Sequence, residues 1–386
     1  DSGQTVDNCN QNFTGALSVD YDIIDGLKAT VTGAYVNEDQ RHTERVLSIP
    51  DDPASASRTT SLVERFVNWK RYNFDALLNY SKNFGQHGLK VMVGYHAEKY
   101  EVSKNQMQRN NFPSNSLNDM DAGGASTQTN DGLSRELAML SYFGRINYDF
   151  AGKYLLEANF RADASSRFAP GHRWGFFPSA SVGWNIAREK FFLPVSKVVN
   201  TFKVRASYGS LGNQNTSSLY PTYSTIGTGT GSWIIDGTLA NIAWAPSLVS
   251  YNLSWEKIRT WNAGVDFGLF NNRLTGSFDY YIRKTDDMVG PSEKLPVVLG
   301  TAVPSSNNTN LKTFGWELEL MWKDRLNNGL NYSARFTLAD SRTKITRYSN
   351  PSGLIDGFYA GKYVGEIWGY ETLHNLTRKW PNTSED

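Results

Sequence analysis

Asp163, Ser165, Ser166 and His172 lie close together in sequence, and these types in the right geometry make a nucleophile and its base. No G-x-S-x-G elbow surrounds either serine, so nothing local would raise a hydroxyl on a strained turn. Glu317 and Glu319 could be a carboxylate pair for glycoside cleavage. They sit two apart on one alternating segment, whereas such pairs face each other from separate elements across a cleft. The run GTGTG from Gly227 to Gly231 suggests a phosphate loop only superficially, because no helical pattern follows it; a flexible surface loop is expected there. His42, His87, His96, His172 and His374 are scattered, and Cys9 is the only cysteine, so no zinc motif and no intrachain disulfide is expected. The chain is expected to carry out no covalent chemistry, to need no cofactor and to bind no metal.

Composition points elsewhere. The 386 residues have a formal net charge of +1, which removes the electrostatic reason to expect nucleic acid as a partner. Aromatics make up 13% of the chain, with 33 glycines, a balance that suits strands and turns over helices. Mean hydropathy is -0.48, and no run approaches the roughly 20 apolar residues of a membrane helix. That excludes a helical membrane protein and no more, since a barrel strand turns one face to lipid and the other to water.

The elements that would position any site are strands. Leu17, Val19, Tyr21 and Ile23 alternate with Ser18, Asp20 and Asp22, and after Asp25-Gly26 the apolar set Leu27, Ala29, Val31 and Tyr35 resumes. Side chains of a strand point to opposite faces in turn, so each segment is apolar on one side. Asp-Gly between two such runs predicts a tight hairpin with both central residues at positive φ. Further runs are centred on Phe74–Tyr80, Leu89–Ala97, Tyr142–Phe150, Tyr154–Phe160 and Val182–Ile186, then on Phe202–Tyr208, Trp261–Leu269, Leu274–Ile282, Trp316–Trp322 and Leu330–Leu338. This makes about twelve strands, each near the length that crosses a tilted bilayer path.

Connections alternate in length. Asp25-Gly26, Asn83 to Gly88, Ala151-Gly152, Asn271-Asn272 and Asp324 to Gly329 are short. Asn37 to Glu64, Lys99 to Arg135, Ala164 to Arg173, Ser210 to Trp255 and Lys284 to Thr313 are long and polar. Only Arg188 to Thr201 breaks the rule on the short side. Short turns on a periplasmic rim and long extracellular loops describe an all-β, antiparallel transmembrane β-barrel. Tyr35, Tyr80, Tyr95, Tyr154, Trp184, Tyr208, Trp261, Tyr280, Trp316 and Trp322 fall where interfacial girdles would need them. On the polar face Lys28, Lys90, Arg145, Lys153, Arg161, Lys203, Arg205, Arg273, Arg283, Lys323 and Arg335 are matched in number by acids, so the lumen favours no strongly charged cargo.

Three stretches carry a closer resemblance: SYFGRINYDFAGKYLLEANFRADASSRFAPGHRWGFFPSASVGW (Ser141 to Trp184), FKVRASYGSLGNQN (Phe202 to Asn215) and WEKIRTWNAGVDFGLFNNRLTGSFDYYIRKTDDM (Trp255 to Met288). NLKTFGWELELMW (Asn310 to Trp322) and VGEIWGY (Val364 to Tyr370) add weaker similarity. They resemble the SusC/RagA-type, TonB-dependent transporters of Gram-negative outer membranes. The resemblance implies a 22-stranded barrel around a plug, with residues 1–386 as part of that single barrel domain and the plug and remaining strands not in this chain. It implies active import of large nutrients, most often oligosaccharides, with peptides as an alternative cargo. It also implies TonB, outer-membrane lipid and a SusD-like surface lipoprotein as partners, with the transporter-lipoprotein pairs able to dimerise. A passive porin or siderophore receptor, and a soluble extracellular glycan-binding β-protein, are the rival readings. The candidate cargo- or lid-contacting loop residues are Asn213, Gln214, Asn215, Tyr220, Tyr223, Trp233, Trp244 and Tyr251, with Asn110, Asn111 and Phe112 in a second loop, because aromatic platforms beside amides suit sugars. Packing of the loops against one another is the competing use of the same residues.

Overall fold

The computed structural model describes residues 3–49, 59–216, 218–290, 303–351, 353–355 and 357–369. Among the described residues fourteen strands form: β1 (Gln4–Ile24), β2 (Leu27–Val46), β3 (Ser61–Phe84), β4 (His87–Asn110), β5 (Thr129–Phe150), β6 (Tyr154–Ser165), β7 (Trp174–Asn185), β8 (Val199–Asn213), β9 (Thr228–Ile235), β10 (Thr238–Ala243), β11 (Glu256–Leu269), β12 (Leu274–Gly290), β13 (Ser306–Arg325) and β14 (Asn331–Arg347). Twelve of them make one antiparallel sheet in the order β1-β2-β3-β4-β5-β6-β7-β8-β11-β12-β13-β14, each paired to its chain neighbours in that series. β1 and β14 are its edges, and both are exposed along nearly their whole length. β9 and β10 form a separate hairpin inside the long connection from β8 to β11.

All twelve expected strands are present, but several are far longer than a bilayer crossing. β3 and β4 have 24 residues each, about 80 Å at 3.3 Å per residue. Much of the expected loops Asn37–Glu64 and Lys99–Arg135 is therefore strand, with β2 running to Val46 and β4 to Asn110 before β5 begins at Thr129. Residues 50–58 and 291–302, inside two of the expected loops, and Tyr370 lie outside the described residues. The glycine-rich run at Gly227 is also a correction: most of it is paired in β9, since Thr228, Gly229 and Thr230 face Ala243, Ile242 and Asn241 of β10. Alternating Thr and Gly can follow a pleat when a partner strand satisfies their backbone groups.

Register keeps the faces consistent around the sheet. Val19 pairs with Val31, Val31 with Ala76, Leu78 with Val93, and Val93 with Gly144. Beyond these, Ile146 pairs with Ala158, Leu156 with Val182, and Val204 with Val265. A slip of one residue would turn an entire strand over, and the chosen register puts every one of these side chains outward.

The short rim departs from expectation at one turn. Gly26 has φ 80°, while Asp25 is outside the left-handed region, and the register shifts between Asp22 and Ile24. The turn is therefore bulged instead of having both central residues at positive φ. Gly26 is required twice over, by its φ of 80° and because a Cβ there would lie 2.4 Å from the Ser81 carbonyl oxygen; its own carbonyl accepts from Ser81 N at 2.8 Å. Ala151 (φ 55°) and Gly152 (φ 62°) do both turn left-handed, as do Phe270, Asn271 and Asn272. The irregular connection between β7 and β8 contains two short 3-10 turns, Ile186–Arg188 and Lys190–Phe192. Glu189 ties it to the rim by accepting from Lys153 Nζ at 2.8 Å and Trp184 Nε1 at 3.2 Å.

Aromatic side chains on the outer face fall in two rows. Near the short turns, His87, Phe150, Tyr154, Trp184 and Phe191 contact one another in sequence, with centroids 4.7 to 6.4 Å apart. Higher up, Tyr35 meets Tyr72 at 5.1 Å, Tyr95 meets Tyr142 at 5.3 Å, and Tyr208 meets Trp261 at 5.3 Å. Tyr72 and Tyr80 mark both rows on β3, eight residues apart, roughly 27 Å along the strand, as a lipid-facing band between two girdles requires. Because the strands run on, the upper row sits in mid-strand on β2 to β5 and not at strand ends.

Candidate functional site

Above the upper aromatic row the alternation changes phase. On β3 the outward positions below are Tyr72, Phe74, Ala76 and Leu78, and above they become Lys70, Asn68 and Glu64, with Phe66 the exception. The inward positions change the other way, to Trp69, Val67 and Val63. β4 and β5 do the same, with Lys99, Glu101 and Glu136 outward and Tyr100, Val102, Leu133 and Leu137 inward. The physical cause is a change of solvent. Outside the girdle is water, where the outer charges pair: Arg41 with Glu64 at 2.6 Å, and Lys99 with Glu101 at 2.7 Å and Glu136 at 3.1 Å. The extensions thus form a wall standing above the membrane with apolar side chains and cations facing in.

That inner side holds a concavity of about 720 Å³. Val67, Trp69, Tyr100, Val102, Leu133 and Leu137 give it an apolar floor, Leu219 reaches it from the β8–β11 connection, and Arg65, Arg71, Lys104, Arg135 and Arg167 bring cations. Glu98 and Gln40 are among its other polar residues. Arg71 lies 5.7 Å from the centroid of the Tyr100 ring, a cation–π arrangement. Arg167 donates to Thr216 Oγ1 at 3.1 Å, its Nε is buried without a partner, and burial lowers its pKa from the usual arginine range. Sequence reasoning missed this site because it placed Gln40, Tyr100, Val102, Lys104, Leu133, Arg135, Arg167 and Leu219 in loops and assigned Arg65 to Arg71 to no strand; the phase change at Arg71–Tyr72 was the available signal.

Below the row the inner face is a hydrated ion-pair wall. Arg205 bridges Asp266 (3.2 Å) and Asp279 (2.7 Å) across three strands, Arg161 holds Asp163 at 2.7 Å, and Arg335 reaches Glu319 at 3.2 Å.

Above Met139 β5 has no strand on its β6 side, because β6 ends at Ser165. Loop groups satisfy that edge. Ala138 N donates to Ser166 Oγ and Ser166 N to the Ala138 carbonyl, both at 3.0 Å, while Glu136 N donates to Tyr220 Oη at 2.8 Å. Ser165 is buried, and its Oγ accepts from Arg167 N at 3.2 Å. The two serines that resembled a nucleophile therefore cap a strand edge and a turn, while Asp163 is held by Arg161. Phe168, Phe177, Leu253 and Trp255 pack beside them as a small core, with Trp255 Nε1 donating to the Arg173 carbonyl at 2.8 Å.

The expected contact residues divide by environment. Phe112 is only 6% exposed, under the Arg45 guanidinium at 4.0 Å, and its N–H donates to Thr60 Oγ1. Asn111 (φ 60°) donates its N–H to the Thr60 carbonyl, and Asn110 is clasped by Thr127 and Gly124. Asn213 donates to buried Glu256 at 2.6 Å, and Gln214 donates to Met139 Sδ. Tyr220 holds the β5 edge and meets Tyr223 edge-on at 6.1 Å. Asn215, Tyr223, Trp233, Trp244 and Tyr251 are exposed, Trp233 at 79%. The two loops are not brought together into one cluster by any contact among these residues.

Comparison with known proteins follows the same architecture. A family model described as "TonB dependent receptor-like, beta-barrel" matches residues 1–371. The TonB-dependent receptor P3 of Formosa agariphila is 29% identical over 95% of this chain and 37% of its own length. The TonB-dependent receptor SusC of Bacteroides thetaiotaomicron is 30% identical over 78% of this chain and 31% of its own. The chain thus spans about a third of the length of the curated relatives it matches. Among solved structures, one titled for the RagAB peptide transporter superposes with a TM-score of 0.81 at 23% identity, over 90% of this chain and 38% of that one. The ferric-catecholate import receptor Fiu from K12 E. coli reaches 0.52 at 10% identity, over 89% and 48%.

Proposed function

The chain belongs to the TonB-dependent receptor-like β-barrel family of the outer membrane, and from that premise we propose that the whole protein actively imports large nutrients, chiefly oligosaccharides. TonB supplies the work, and a SusD-like surface lipoprotein closes over the extracellular side. The single observation that carries this reading is the wall of extended strands above the upper girdle, polar outside and apolar with arginines inside. A passive pore has no need of such a built recess, whereas a transporter that captures cargo before translocation does. Trp233, Trp244 and Tyr251, exposed on the β8–β11 connection, add aromatic surface for sugar rings or for the lid. Residues 1–386 form part of one barrel domain in this reading. A peptide importer is the second reading, favoured by the aliphatic floor of Val67, Val102, Leu133 and Leu137.

The test is detergent extraction of the native outer membrane, capture of the protein, and mass spectrometry of what is retained. A longer parent polypeptide with a surface lipoprotein, and energy-dependent uptake of an oligosaccharide, are the expected results. Recovery without a lipoprotein, together with uptake of ferric siderophore alone, would overturn the proposal.

A further inference from the structure

We propose that the inner concavity of the strand extensions selects acidic oligosaccharides, its cations taking the carboxylate or sulfate groups of the sugar; this rests on the glycan-import reading and names its substrate class. Arg65, Arg71, Lys104, Arg135 and Arg167 line the recess with Glu98 as its lining carboxylate. None of these five cations has a carboxylate within 4.0 Å among the described residues. Elsewhere the pattern is mixed: Lys28, Arg161, Arg205 and Arg335 lower on the same face and Arg41 and Lys99 on the outer face each hold an aspartate or glutamate, while Lys90, Arg145 and Lys203 of the lower face form no ion pair among the described residues. What sets the recess apart is that five such cations line one concavity. Glu38 of β2 and Asp131 of β5 share the inner face but form no ion pair with these cations.

Several cations lining one recess beside an apolar floor offer an anion more than one charged donor, and the bidentate geometry of guanidinium suits carboxylate and sulfate. Trp69 and Tyr100 provide ring faces, and Gln40 beside them is both donor and acceptor, as hydroxyls require. The balanced charge of the lower lumen does not bear on this selection, which is made above it.

The experiment uses the whole receptor, purified in detergent with its lipoprotein when one is retained. Binding is measured by calorimetry for octamers of galacturonate, of sulfated galactan, of neutral maltose-type glucan, and of glutamate. An acidic glycan octamer is expected to bind at least about tenfold more tightly than the neutral one, with affinity falling as salt rises. The uronate and sulfate arms separate the two anion sources. Arg71→Gln with Arg135→Gln should remove that preference, bringing the acidic octamer down to the affinity of the neutral one, while Arg71→Lys with Arg135→Lys should retain most of it. Equal, salt-insensitive binding of acidic and neutral glycans would overturn the charge selection and leave glycan import standing. Binding of octaglutamate alone would overturn the glycan class, and binding of no octamer would sink the import reading itself.

Discussion

The ring of Phe177 abuts Gly212 of β8 with its Cζ end, so that a Cβ at 212 would stand 2.1 Å from that atom. Gly175 on the same strand as Phe177 leaves equally little room, at 2.3 Å. Phe177 is buried against Trp255, centroids 5.4 Å apart, and cannot swing away without opening the small core. Gly212→Ala is therefore expected to destabilise the upper β7–β8 region by about 1–3 kcal/mol, the range for overpacking. A heat-unfolding midpoint of the whole receptor that does not fall would show that the ring has somewhere else to go.

Ile146 and Asn147 are adjacent on β5 but face lipid and lumen respectively. Ile146→Arg should cost about 2–4 kcal/mol in folding into a bilayer, whereas Asn147→Arg should cost close to nothing. Reversible folding into lipid vesicles measures both. Equal costs would mean the face assignment is wrong.

Phe112 and Arg45 anchor the connection between β4 and β5 to the end of β2. Removing a buried phenylalanine ring typically costs about 3–5 kcal/mol, felt here as local opening. Phe112→Ala should make residues 113–128 sensitive to brief proteolysis while the girdled part of the barrel stays resistant. Unchanged cleavage would remove Phe112 from its anchoring role.

Glu189 holds the turn between β7 and β8 at the short-loop rim. Its pKa is lowered by the hydrogen bond from Lys153, and then by those from Tyr154 and Trp184. A depressed carboxylate stabilises the fold above the ordinary glutamate value of about 4.3 and loses that contribution as pH falls through the folded value. Trp184 fluorescence and amide exchange in the turn should thus report loosening on acidification. Glu189→Gln should abolish most of that pH dependence; if the wild-type acid transition persists in the variant, another group controls the turn.

Much of the architecture was legible from period-two alternation, because burial in lipid on one face and water on the other forces that pattern strand by strand. Tyr142, Ile146, Tyr148 and Phe150 against Arg145, Asn147 and Asp149 needed no structure to sort. The sorted lengths of the connections followed from the same pattern, and so did the rim on which the long ones lie. The upper halves of β2 to β5 were different. There the outer face takes charges as loops do, and only pairing across several strands, Trp69 with Val102 and Tyr100 with Leu137, shows that the backbone continues as sheet. Tertiary structure alone decided the fate of the loop residues. Phe112 and Trp233 are both aromatics in polar surroundings by sequence, yet one is sealed beneath Arg45 and the other stands in solvent. That difference depends on which distant backbone groups each loop must satisfy, and such partners are fixed by the register of the whole sheet, not by any local pattern.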